Sequence, residues 1–189
     1  MSRNKNVILL ATVFLTVLLA GALAFFITHH PNSRLAATEQ YAVYSAYLES
    51  EIRDNFHDYG TGKGFVLLIQ DRTTLARVAA PRFRRLKADA PTLQDVTLMN
   101  FVTENLASQL LAKQFRLPTG YELLSEDQLV KQGSHQYVTL SRVGFNKDLS
   151  QALFYTEHIC GLCGGGGYVL MERRFGQWRV KAFLSTWVS

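Results

Sequence analysis

Two cysteines and four prolines are all the staples and chain breakers that 189 residues carry. So few cysteines exclude a disulfide-dense scaffold, and a hydrophobic core must hold the fold. No Asn-x-Ser/Thr sequon occurs, so glycosylation offers no clue. No second ligand pair accompanies the single Cys-x-x-Cys, which leaves a zinc site short of its usual four ligands. There is no internal repeat and no low-complexity stretch beyond one glycine run, which excludes solenoids and linker-rich arrays. A net charge of +5 is too weak to argue for a nucleic-acid partner. Long hydrophobic runs are absent too, with one exception.

That exception is Val7 to Ile27, 21 residues without a charge, interrupted only by Thr12, Thr16 and Gly21. At about 1.5 Å of rise per residue the run matches a hydrocarbon core of roughly 30 Å. Arg3 and Lys5 precede it, and no Lys or Arg follows until Arg34. The positive-inside rule then keeps residues 1–6 as a cytoplasmic tail and sends the rest across the membrane. The chain divides into the tail (1–6), a transmembrane anchor (7–27), a linker (28–34) and one extracytoplasmic domain (35–189). A basic start and the small residues Ala22-Leu23-Ala24 also fit a cleavable signal peptide, which would make the domain secreted. Phe25-Phe26-Ile27 extend the apolar run past that cleavage point and favour the anchor. Location at the cell membrane, single-pass, follows; in a Gram-negative cell the domain is periplasmic.

The domain has a helical half and a stranded half. Ala37, Tyr41, Tyr44, Leu48, Ile52 and Phe56 recur at helical spacing and predict an amphipathic helix whose tyrosines face the core. Phe65 to Ile69 reads as a short buried strand. Residues 71–87 hold Arg72, Arg77, Arg82, Arg84, Arg85 and Lys87 against one acid, Asp71. They read as a solvated basic loop, with Arg82, Arg84 and Arg85 as a candidate patch for an anionic partner. Thr92 and Asp95 suggest a capping box, opening a helix that buries Val96, Met99, Val102 or Thr103, Leu106 and Leu110. A short helix from Ser125 to Gln132 stops at Gly133. After residue 135 the period becomes alternating: Tyr137–Val143, Gln151–Ile159, Tyr168–Arg174 and Trp178–Val188 read as four strands. Their short connections require an antiparallel meander, with Trp178, Val180, Ala182 and Leu184 on one face. One sheet face should carry helices and the other should meet solvent. The fold class is thus α+β: an N-terminal transmembrane helix, then helices packed on a C-terminal antiparallel β-meander of about four strands.

The stretch Cys160-Gly161-Leu162-Cys163-Gly164-Gly165-Gly166-Gly167 is the most unusual of the domain and admits four readings. Cys160 and Cys163 can form a disulfide that clips a turn in an oxidising compartment. They can form a thiol–disulfide redox centre, although no helix amino terminus is available to activate a thiol. They can ligate a metal with His158 and His135, which leaves the ligand set incomplete. Gly164, Gly165, Gly166 and Gly167 can form a backbone nest for an anion. No metal and no cofactor is expected. Glu157 and His158 point to opposite faces of a strand and Ser141 lacks a nucleophile elbow, so no catalytic set emerges.

Ser141-Arg142-Val143-Gly144-Phe145-Asn146, then Cys160 to Gly167, then Gly176-Gln177-Trp178-Arg179-Val180, together resemble an uncharacterised family of bacterial secreted or membrane-tethered hypothetical proteins. The resemblance covers roughly the last fifty residues and implies an extracytoplasmic α+β domain, with no activity and no catalytic residue attached. The reading that results is a membrane-anchored module, non-enzymatic, acting by binding at the envelope through a protein or anionic partner. The alternative is a thiol–disulfide redox protein using the Cys160–Cys163 loop.

Overall fold

The computed structural model describes residues 33–54, 65–76, 80–133, 136–161 and 163–189. The expected tail, anchor and most of the linker, with Phe56, Arg77 and His135, lie outside the described residues. Among the described residues no helix is long and apolar enough to cross a membrane.

The described residues from 33 onward form an α+β unit of four helices and seven strands: α1 (Ser33–Asp54), β1 (Val66–Gln70), α2 (Ala80–Asp89), α3 (Asp95–Glu104), β2 (Gly120–Leu124), α4 (Glu126–Lys131), β3 (Gln136–Leu140), β4 (Gly144–Phe145), β5 (Gln151–Cys160), β6 (Cys163–Arg174) and β7 (Gln177–Val188). The strands make one mixed sheet in the order β2-β1-β3-β5-β6-β7, with β4 also on β5. The expected meander is there as the antiparallel run β3-β5-β6-β7. It is extended by β1 and β2, which run parallel to each other, while β1 also runs parallel to β3. Sequence reading found β1 but not β2, a five-residue strand hidden behind the Pro118–Gly120 stop signal.

Both sheet faces are covered, not one. Ala152, Phe154, Val169 and Met171 face α1 and pack with Tyr41, Tyr44, Tyr47 and Leu48. Their alternating neighbours Leu153, Tyr168 and Leu170 pack with Leu86 of α2 and with Leu98 and Phe101 of α3. That alternation is the period-two geometry of a strand, here apolar on both sides. The tyrosine stripe is a core face: Tyr44 is fully buried and its hydroxyl donates to the Ser141 carbonyl at 2.6 Å. Burial raises the Tyr44 phenol well above its ordinary value.

Three local expectations are corrected. The basic segment is not a loop: residues 80–89 form α2, held by buried Leu86, and Pro81 is tolerated in the first turn. Helix α3 starts at Asp95 after Gln94, without a side-chain cap from Thr92, and buries Thr97, Leu98, Asn100 and Phe101. Met99, Leu106 and Leu110 are exposed instead. The sequence offers α3 two apolar stripes, and polar side chains that bond the sheet decide between them. Finally, Trp178 and Val180 do not share a face with Ala182 and Leu184. The β6–β7 register shifts between Leu170 and Met171, leaving Lys181 as an extra residue that turns the alternation over. Trp178 belongs to the α1 side, whereas Ala182 and Leu184 belong to the α2–α3 side. The short helix is as expected: Ser125 and Gln128 make a reciprocal capping box, and Gly133 has φ +59°.

Candidate functional site

The Cys-Gly stretch is a hairpin rather than a loop. Strands β5 and β6 pair up to Cys160 and Cys163, three positions apart in the chain, and Gly161 supplies a φ of +71°. The two sulfurs lie at bonding distance (2.14 Å) with Cα atoms 5.0 Å apart. Gly164 to Gly167 are extended residues of β6. Gly164 pairs with β5, and Gly165, Gly166 and Gly167 are paired on both sides, by β5 and β7. Backbone groups spent on ladders do not form a concave nest. Their small size has another cause. A Cβ on Gly166 would sit 2.5 Å from Trp187 Nε1 and 2.7 Å from the Tyr155 hydroxyl. One on Gly167 would sit 2.6 Å from the Leu184 carbonyl and 2.8 Å from the Phe183 ring. The glycines make room for aromatic rings laid across the strand.

Beneath Trp187 runs a polar chain. Its Nε1 donates to the Tyr155 hydroxyl at 3.1 Å, which donates to Glu157 Oε1 at 3.0 Å, and Thr139 reaches Glu157 Oε2 at 3.4 Å. Thr186 closes the group by donating to the Gly166 carbonyl at 2.9 Å. Burial is the main cause that raises the Tyr155 phenol, so it is a neutral donor here and not a base. His158 stands on the opposite face from Glu157, as strand geometry requires, and burial lowers its pKa. Among the described residues no three His, Cys, Asp or Glu side chains converge to hold a metal.

The Ser141–Asn146 stretch ties α3 to the sheet. Fully buried Ser141 accepts from Tyr155 N at 2.7 Å and donates to the Arg142 carbonyl, so its hydroxyl is committed to structure. Phe145 N donates to Asn100 Oδ1 at 2.7 Å, and Arg142 N to Asn105 Oδ1 at 3.0 Å. Asn146 takes the N–H groups of Ser150 and Gln151, both at 2.9 Å, and Gln151 in turn holds Gln94 N and Thr97. Arg142 pairs with Glu104. At the other end of the sheet, Trp178 Nε1 donates to Glu39 Oε2 at 2.8 Å, and Arg173 sits over its ring while pairing with Glu39.

Helix α2 divides the basic patch. Arg82 and Arg85 border a small cleft against Ser185 and Thr186 of β7. Arg84 instead lies with Phe83, Lys87 and Met99 around an apolar pocket of about 410 Å³ between α2 and α3. Arg85 pairs with Asp89 at 3.5 Å in the open, a contact of little energetic weight.

A third concavity among the described residues has no counterpart in the sequence reading. A groove of about 900 Å³ runs between α1 and the start of β7, floored by Ala42, Ala46 and Trp178. Its rim carries both signs: Arg53, Arg116 and Arg179 with Glu49, Glu51 and Asp54. These residues come from three distant segments, and the small pair Ala42 and Ala46, four apart on one helix face, was the sole local signal. Compared with known proteins, the chain matches no family model, no curated protein and no solved structure.

Proposed function

We propose that this chain is a membrane-anchored, extracytoplasmic binding module that works without turnover of its own. On this reading residues 7–27 hold the domain at the cell membrane, and the α1–β7 groove receives a polar, mixed-charge segment of an envelope protein. The observation that carries the reading is the groove itself, which is large enough for a side-chain-bearing peptide and ringed by charges of both signs. Ser141, Tyr155 and Glu157, the groups a hydrolytic reading would need, are spent on hydrogen bonds that hold strands and aromatic rings.

The test uses the full chain in intact cells. A photo-crosslinking residue at Ala46 or Val180 is expected to trap one discrete partner, and the same residue at exposed Val130 on α4 to trap none. Absence of an adduct at both groove positions refutes the groove. Alkaline phosphatase fused after Ser189 is expected to be active, and an inactive fusion refutes the extracytoplasmic placement.

A further inference from the structure

The tip of the β6–β7 hairpin carries a residue that neither backbone nor solvent explains. Arg174 pairs with Gln177, so Phe175 and Gly176 are the two central residues of the turn, at φ +51° and +80°. Turns of this kind favour Asn-Gly, because a side chain with a Cβ is strained at positive φ and a bulky ring most of all. Phe175 is also fully exposed, at 102%. A strained position therefore holds a large apolar ring that buries nothing within the domain.

Its surroundings are basic. Arg173, Arg174, Arg179 and Lys181 flank the tip, and the acids among them are Glu172 and Glu39. Glu39 pairs with Arg173 and Glu172 with Arg174, at 3.3 and 2.9 Å, so the hairpin keeps a positive excess. Both Arg173 and Trp178 bond Glu39, in the second turn of α1. The tip thus lies beside the second turn of α1. An exposed aromatic ring surrounded by arginines is the chemistry of the bilayer interface, where rings settle at headgroup depth and cations meet anionic lipid.

We propose that Phe175 inserts into the anionic surface of the membrane, with Arg174 and Arg179 on the headgroups, so that the hairpin tip is a second contact fixing the domain's orientation. The proposal rests on the anchored reading above.

The full chain carrying Phe175→Cys is labelled with an environment-sensitive fluorophore and reconstituted into vesicles; Cys160 and Cys163, being paired, do not compete for label. In vesicles containing phosphatidylglycerol the label is expected to brighten several-fold, shift to the blue and be quenched by lipid-borne nitroxides. A label at Val130→Cys is expected to show none of the three. Molar salt, which shortens screening to about 3 Å, is expected to weaken the response. A label that stays aqueous in both anionic and zwitterionic vesicles overturns the proposal. So does a blue shift that tracks protein concentration without lipid, which would mark a protein contact. Alkaline carbonate extraction is read on the same vesicles: release of the chain overturns the anchored reading, independently of what the label reports.

Discussion

Replacing Gly144 by alanine tests the seam between α3 and the sheet. Gly144 is not in the left-handed region, so alanine meets no backbone penalty there. The added Cβ, however, would lie 2.2 Å from Phe101 N, 2.3 Å from its Cα and 2.4 Å from its Cβ. Ordinary carbon contacts begin near about 3.5 Å, so α3 must retreat by roughly 1 Å. Phe145 N to Asn100 at 2.7 Å and Arg142 N to Asn105 at 3.0 Å cross that same seam. Overpacking costs about 1–3 kcal/mol, and each buried donor pulled off its acceptor about 1–3 kcal/mol more. With both bonds lost a total of about 3–9 kcal/mol follows, or a fall in Tm of at least about 6 °C for a domain of this size. Gly120→Ala is the matched control, since its Cβ would meet nothing nearer than Val66 Cγ2 at 3.7 Å. Removing that glycine is worth about 0.5–1 kcal/mol in favour of folding. Thermal unfolding followed by circular dichroism reads both variants. A Gly144→Ala protein melting within about 2 °C of the parent would refute the close approach of α3.

Phe175→Asn should raise stability by about 1 kcal/mol, because Asn suits a positive φ that Phe does not, while removing the ring proposed to enter the membrane. A chemical denaturation midpoint at or below the parent's would mean the turn is not strained. Changing Cys160 and Cys163 together to serine opens a ring of only four residues, for which chain entropy predicts a loss of about 2 kcal/mol, or about 4–8 °C in Tm. Collapse of the fold on that change would show the pair to be more than a clip. Burial lowers the His158 pKa, so the fold prefers the neutral ring. Its contribution is intact above the unfolded value of 6.5 and is lost as pH falls through the folded one. His158→Gln should therefore flatten the acid side of a Tm–pH profile and leave the side above neutral pH unchanged; parallel profiles would exclude it.

Elements written in local periodicity were readable from the chain. The Tyr41–Tyr44–Leu48 stripe, the four alternating runs after residue 135 and the Ser125 cap each depend on neighbours within a turn or a strand. What escaped depended on distant partners. Thr97 and Asn100 look like solvent-facing residues until Gln151 and the Phe145 N–H are placed against them. The α2 arginines hide a helix whose apolar anchors among the described residues are buried Leu86 and half-buried Phe83. A bulge at Lys181 is invisible to any alternation rule, since one extra residue reverses the faces from Ala182 to the next register shift at Gly166/Gly167. The α1–β7 groove unites residues 42–54, 116 and 176–180, and no spacing within one segment announces it.

The glycine run shows how the same residues change meaning between chain and fold. Read as a loop, four consecutive glycines suggest a mobile nest for an anion; placed in β6, they are the thin part of a sheet. Trp187 and Phe183 lie over them, and the Tyr155–Glu157 pair is aligned beneath the indole. A strand of glycine alone packs poorly, and here the missing side chains are supplied by rings from β7. The hairpin's disulfide then holds the end of β5 and β6 where no side chains of β6 can do so. Cysteine pair and glycine run are thus two parts of one structural solution at this corner of the sheet. That leaves the opposite end of β6, with the groove and the exposed ring of Phe175, as a part of the domain whose chemistry the fold does not use up.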